Sequence, residues 1–221
     1  MCCKHITQPF KFFCYTDESV DLNVNVNIIP FIDHELEVIV HNKLFLFSPE
    51  VDYHLCDGPR VYFDLDLLIR KNIDHIVNNN RGDLSLIRSA WRKEHKRGLP
   101  MLHHMFNSSC MTWKSPHTRK IWDHFIKDPE YFTIKYHWGM DSFLSYEQEN
   151  MGIDIHFFPE REFMSLIHGG VDYHEQDYYM RHYQMNHVKA RPEIFEKVSI
   201  MLLNGDVTQI HYKHHKQFYL D

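Results

Sequence analysis

The chain has 221 residues, of which 43% are hydrophobic and 14% aromatic, and a formal net charge of −6. That length and apolar content suit one α/β domain with a real core and exclude an intrinsically disordered chain. The acidic balance argues against a protein that grips nucleic acid by its phosphates, and no apolar run approaches the roughly 20 residues needed to span a bilayer.

In chain order, the residues from Phe10 to Thr16 predict a strand that ends in a turn at Asp17-Glu18-Ser19. Alternation from Val24 to Ile29 predicts a second strand, stopped by Pro30. Val40 to Phe47 is apolar at helical spacing and predicts a short helix. After the breaker Asp57-Gly58-Pro59, the segment Val61 to Asp66 has the form of a buried parallel strand whose carboxyl end faces a ligand site. Asn78 to Asp83 is a loop, Leu84 to Ile87 a strand, and Phe106 to Trp113 another.

Ser115 then offers an N-cap with Pro116 at the first helical position, and a helix from His117 to Lys127 places Ile121, Trp122 and Phe125 on one face. A second helix opens at Asp141 and ends at Gly152, and Ile153 to Phe158 returns as a strand. From Gly169 to Arg191 the pattern dissolves into Tyr, His, Gln and Asp, which reads as a long loop or an irregular subdomain. Pro192 to Val198 reads as helix and Ser199 to Leu203 as a last strand. The alternation of the two element types predicts one α/β layered domain over residues 1–221.

Cys2, Cys3, Cys14, Cys56 and Cys110 are odd in number and match no zinc ribbon or disulfide framework. With no secretory leader at the start, they predict a soluble, cytoplasmic protein. The 19 histidines form no HExxH pair and read as ordinary polar surface. The basic run from Arg88 to Arg97 reads as a solvated face, with a phosphate contact by one arginine as the sharper alternative.

The strongest local signal is Asp64-Leu65-Asp66. Side chains two apart on a strand share a face, and paired carboxylates repel unless a cation lies between them. A hard divalent ion, Mn²⁺ or Mg²⁺, prefers such oxygens and would neutralise a departing diphosphate. The plain alternative is an acidic strand end facing water. Asn107-Ser108-Ser109 could hydrogen-bond a sugar or merely cap a turn, Asp141 could act or merely cap its helix, and Lys43 could contact a ligand or snorkel from a helix.

Taken in order, FKFFCYTDES, NKLFLF, RVYFDLDLLIRKNID, FNSSCMTW, GMDSFLSYEQE and, more weakly, VSIMLLNGD resemble nucleotide-sugar glycosyltransferases of the GT-A fold, the broad group that includes glycogenin and bacterial galactosyltransferases. The resemblance covers most of residues 10–167 and a short piece near 200. It implies an α/β fold with a mixed, mainly parallel Rossmann-like sheet flanked by helices, shortened at the N-terminus by one strand and one helix. It implies that Asp64 and Asp66 hold Mn²⁺ or Mg²⁺, with Asn204 (or His168) in place of a histidine ligand. Thr16 and Asp17 would lie near the nucleoside, Lys43 near the donor phosphates, and Asn107 and Ser108 in the sugar pocket. Arg88 would contact phosphate or sugar. Asp141 would stand near the reacting sugar, although Ser142 replaces a glutamine that relatives pair with it.

The implied activity is transfer from a nucleotide-diphosphate donor, with UDP the expected nucleotide, to an acceptor that the sequence does not name. An oligomer is compatible with this reading. Two other readings compete. A relative that has lost turnover would only bind nucleotide-sugar or act as a scaffold. A phosphatase of the haloacid dehalogenase type would use Asp64 as nucleophile and Asp66 as acid/base.

Overall fold

The structure is a computed structural model that describes residues 1–16, 25–30, 39–55, 57–79, 81–88, 106–114, 116–137, 139–159, 162–165 and 198–202. A single turn, α1 (Cys2–His5), precedes β1 (Phe12–Thr16), which pairs in parallel with β2 (Val26–Pro30). The apolar run expected to be helical is a 3-10 helix, Ile39–Phe47. Its three-residue period puts His41, Leu44 and Phe47 in one row, and all three are buried. Ser48 then caps α2 (Pro49–His54): its hydroxyl accepts the Val51 amide at 3.2 Å, and the proline at the helix start gives up no bonded amide.

β3 (Arg60–Phe63) stops before Asp64, residues 65 and 66 bend, and β4 (Leu67–Ile69) departs into a different sheet. The single parallel strand expected from Val61 to Asp66 is therefore two strands joined by an acidic bend. β3 is antiparallel to its partner and lies at the edge of its sheet among the described residues. Its four residues are each only half-buried: Tyr62 packs against one core and Val61 and Phe63 against the other, so both faces are partly covered, as suits an edge strand.

After α3 (Asp74–Val77) come β5 (Leu84–Arg88) and β6 (Phe106–Trp113), then α4 (Arg119–Phe125), α5 (Pro129–Lys135) and α6 (Met140–Met151). β7 (Ile155–Phe157), β8 (Phe163–Ser165) and β9 (Ile200–Leu202) complete the described elements. One sheet has the order β3-β6-β5-β7, with β6 antiparallel to both neighbours and β5 parallel to β7. A second has the order β4-β9-β8, antiparallel then parallel.

β5 and β6 carry the centre of the molecule because both their faces are covered. Leu84, Leu86, Met111 and Trp113 join a core with Leu44, Phe45 and Phe47 of the 3-10 helix and Ile121, Phe125 and Phe143 of the helices. The residues of opposite parity, Ile87 and Cys110, join a second core with Leu67, Ile69, Ile73, Ile76, Phe163 and Ile200. Strand alternation thus deals one residue to each core in turn.

The helix expected from His117 begins at Arg119, with Thr118 at its N-cap position, and Ile121, Trp122 and Phe125 are buried as their spacing predicts. α5 was not expected; its start is set by Asp128, whose carboxylate accepts the Tyr131 amide at 3.0 Å ahead of Pro129. α6 ends at Gly152 in the left-handed conformation, φ 59°. Glu147, 3% exposed, ties α4, α5 and α6 together. It takes His124 Nε2 and Lys135 Nζ at 3.0 Å each, Asn150 Nδ2 at 2.7 Å, and the Tyr136 hydroxyl. Burial alone would raise its carboxyl pKa, but Asn150, Tyr136, Lys135 and His124 outweigh this and hold it at about 2. The irregular segment 169–191, residues 192–197 of the expected helix, and Ser115 lie outside the described residues.

Candidate functional site

At the acidic bend after β3, two side chains and one backbone carbonyl converge on Asp64. Tyr62 and Asp64 are two residues apart on the same side of the chain, and the Tyr62 hydroxyl donates to Asp64 Oδ1 at 2.7 Å. From the 3-10 helix, Lys43 Nζ stands 2.6 Å from Oδ1 and 2.8 Å from Oδ2, so the ammonium straddles the carboxylate. It also lies 5.4 Å from the centroid of the Tyr62 ring, within cation–π range. The backbone holds the acid from the other side: the Asp64 amide donates to the Ser109 carbonyl at 2.9 Å. Burial, and then the Asp64 charge, drive the Tyr62 phenol pKa far up, so Tyr62 is a permanent donor here.

The bend throws Leu65 outward, 99% exposed, between the two acids. Asp66 is half-buried, and its carboxyl pKa is raised, first by burial and then by the neighbouring Asp64 charge, against the opposing pull of its own backbone and Lys43. Asp66 therefore feels the Asp64 charge. The same charge, after burial, adds to the upward shift of the fully buried Cys110 thiol.

β6 is irregular beside this bend. Leu86 pairs with Met111 while the next residue, Ile87, pairs with Asn107, so Ser108, Ser109 and Cys110 form a bulge with no register partner in β5. The bulge leaves backbone groups for other uses. The Ser108 amide donates to Asp141 Oδ1 at 2.9 Å, and the Ser109 amide to the Asn107 side-chain oxygen at 3.2 Å. Asn107 and Ser108 are buried, 3% and 5% exposed. The small polar run expected to line a sugar pocket thus builds the bulge that connects Asp64 to the first turn of α6.

Of the other expected site residues, Thr16 ends β1, next to Tyr15, whose ring stacks on Phe45 of the 3-10 helix at 5.0 Å. Arg88 ends β5 with its guanidinium 5.9 Å from the Phe157 ring, on the side of the sheet order away from β3. Asp17, Asn204 and His168 lie outside the described residues. Tyr62 was not singled out in the sequence. Its signal was its place two residues before an acid on a strand, which makes the two side chains neighbours.

At the acidic bend the groups that could hold a hard divalent cation are the carboxylates of Asp64 and Asp66. Asp64 and Asp66 offer oxygens, and their mutual repulsion is what such an ion relieves. Among the described residues no group of three His, Cys, Asp or Glu is disposed to hold a metal, so the remaining coordination would fall to ligand oxygens and water. No described helix is long and apolar enough to cross a membrane.

No family model matches the chain, and no curated protein does. Among solved structures, an active-site mutant of the galactosyltransferase LgtC is similar over 89% of this chain and 75% of its own, at 13% identity and TM-score 0.50. The glycosyltransferase GlyE of Streptococcus pneumoniae gives TM-score 0.48 at 13% identity over 82% of this chain; the match spans only 42% of GlyE. Mouse xyloside xylosyltransferase 1 gives 0.43 at 15% identity, over 82% of this chain and 77% of its own. With its mixed sheet, its flanking helices and the overlap with LgtC, this chain has the GT-A fold of glycosyltransferases.

Proposed function

We propose that this chain binds a nucleotide-diphosphate sugar, UDP-linked, with a divalent cation, Mn²⁺ or Mg²⁺, and transfers the sugar to an acceptor. The observation that carries the reading is the bend at Asp64 and Asp66, with Lys43 on Asp64 at 2.6 Å, in a chain of GT-A fold. Asp64 and Asp66 would hold the cation through their carboxylate oxygens. When bound, the cation neutralises charge developing on the departing diphosphate. Lys43 supplies a second positive charge on a flexible stem long enough to reach a phosphate beside Asp64. Asp141 would stand at the sugar end, its position set by the Ser108 amide. Thr16 and Asp17 are proposed for the nucleoside, Asn107 and Ser108 for the sugar, Arg88 for an outer phosphate or sugar contact, and Asn204 as a further metal ligand. The free thiols of Cys2, Cys3, Cys14 and Cys110 are in keeping with a cytoplasmic setting.

Calorimetric titration with UDP, with and without Mn²⁺, tests the reading on the wild-type chain and on Asp64→Ala and Asp66→Ala. UDP binding that needs Mn²⁺ and disappears in both variants is the expected result. Failure of UDP to bind with Mn²⁺, or binding indifferent to Asp64, would sink it. UDP release from UDP-glucose and UDP-galactose then separates a transferase from a relative that only binds, and turnover of a phosphomonoester instead would assign the acids to a phosphatase.

A further inference from the structure

The Lys43–Asp64 ion pair carries a consequence for how ligands enter the site, resting on the proposed nucleotide and metal binding. Lys43 occupies both oxygens of Asp64, at 2.6 and 2.8 Å, and the pair is largely withdrawn from water, with side chains 26% and 18% exposed. The Tyr62 hydroxyl, 2.7 Å from Oδ1, comes from β3 just ahead of the bend and holds the carboxylate's orientation. The carboxylate therefore has no easy rotation that would present a bare oxygen. A divalent ion at coordination distance from Asp64 would stand within a few ångströms of the ammonium, like charge against like. The phenol is anchored on β3 and the Asp64 backbone is tied to Ser109 just beyond it, whereas the ammonium rides on a flexible four-carbon stem, so Lys43 is the partner able to move.

We infer that Lys43 and the divalent cation exchange at Asp64, so that Lys43 opposes the cation until a nucleoside diphosphate gives the ammonium other oxygens to bind. Lys43 is thus an internal counterion that couples metal uptake to nucleotide uptake. Its ammonium keeps three donors whichever acceptor it faces, and diphosphate oxygens replace the Asp64 oxygens one for one. The coupling is reciprocal: each ligand strengthens the other, and the strength passes through Lys43.

Mn²⁺ titration of the chain, read by the electron paramagnetic resonance of free aqueous Mn²⁺, tests this without any turnover. In the wild type, UDP should raise Mn²⁺ affinity roughly tenfold or more. Lys43→Gln should bind Mn²⁺ alone roughly tenfold tighter than the wild type, and UDP should then add little. Lys43→Arg, which keeps the charge, should retain the wild-type coupling. If Lys43→Gln binds Mn²⁺ no tighter while the wild type still takes UDP with Mn²⁺ through Asp64, the exchange is wrong and the nucleotide-binding reading survives. Should Lys43→Gln fail to fold, a wild type whose Mn²⁺ affinity is unmoved by UDP overturns the exchange by itself. A wild type that takes up neither Mn²⁺ nor UDP removes the nucleotide-binding reading, and the exchange with it.

Discussion

The carboxylate of Asp141 accepts the amide hydrogen of Ser108 at 2.9 Å, while the next carbonyl on that strand, Ser109, takes the amide of Asp64. Two acids far apart in sequence are thereby held by consecutive residues of one bulge. Their spacing therefore runs through β6 as well as through their own elements.

Asp141→Ala removes the acceptor for a buried amide, and the expected cost is about 1–3 kcal/mol. Asp141→Asn retains an acceptor oxygen and should recover most of it. Denaturant unfolding of the three proteins decides: an alanine variant as stable as the wild type would mean that the bond contributes nothing.

Glu147 makes stability pH-dependent in one direction. Its folded pKa, about 2, lies below its ordinary 4.5. The stabilisation is complete above the unfolded value and is lost as pH falls from about 4.5 toward about 2. A depression of this size corresponds to roughly 3 kcal/mol at neutral pH. Glu147→Gln should be less stable at pH 7 and should lack this acid-linked loss. Parallel stability–pH curves for the two proteins would show that the carboxylate is not the titrating group.

Gly82 has φ +62°, and a Cβ there would lie 2.4 Å from His156 Cδ2 and 2.7 Å from the Asp154 carbonyl oxygen. Gly82→Ala should cost about 1–3 kcal/mol, from the left-handed backbone and the clash together. His156→Ala in the same chain should return only part of this, because the backbone oxygen stays. A melting temperature unchanged by Gly82→Ala would refute the close approach.

Phe143 is fully buried, with ring centroids of Phe132, Phe125 and Tyr136 at 5.2, 5.6 and 5.9 Å. Phe143→Ala should cost about 3–5 kcal/mol, and Phe143→Leu less, as read by urea midpoints. Equal losses for the two would show that ring packing, not volume, sets the cost.

Much of the fold was legible because hydrophobic period decides element type. Leu84 to Ile87, Phe106 to Trp113 and the helix opening at Asp141 all appear close to where the pattern puts them. The Val61–Asp66 run misled because an apolar stretch gives neither the direction of its neighbour nor its place in the sheet; β3 is half-buried, antiparallel to β6 and at the sheet edge among the described residues. α5 was missed although Asp128-Pro129 is a capping pair, since its apolar residues follow α4 too closely to look like a separate period. In the site, the acids were visible as a spacing. The partners of Asp64 were not: Lys43 is 21 residues away, and only the packing of the 3-10 helix brings it there. Tyr62 could be found from strand geometry alone, and the bulge at Ser108 could not, because register belongs to two strands and not to one.

β6 is buried along its whole length, with one core on each side of it. Its amides should be the last to exchange with heavy water, opening only when the whole molecule does. Local breathing of the 3-10 helix or of the outer strands would then leave the Ser108–Ser109 bulge itself in place.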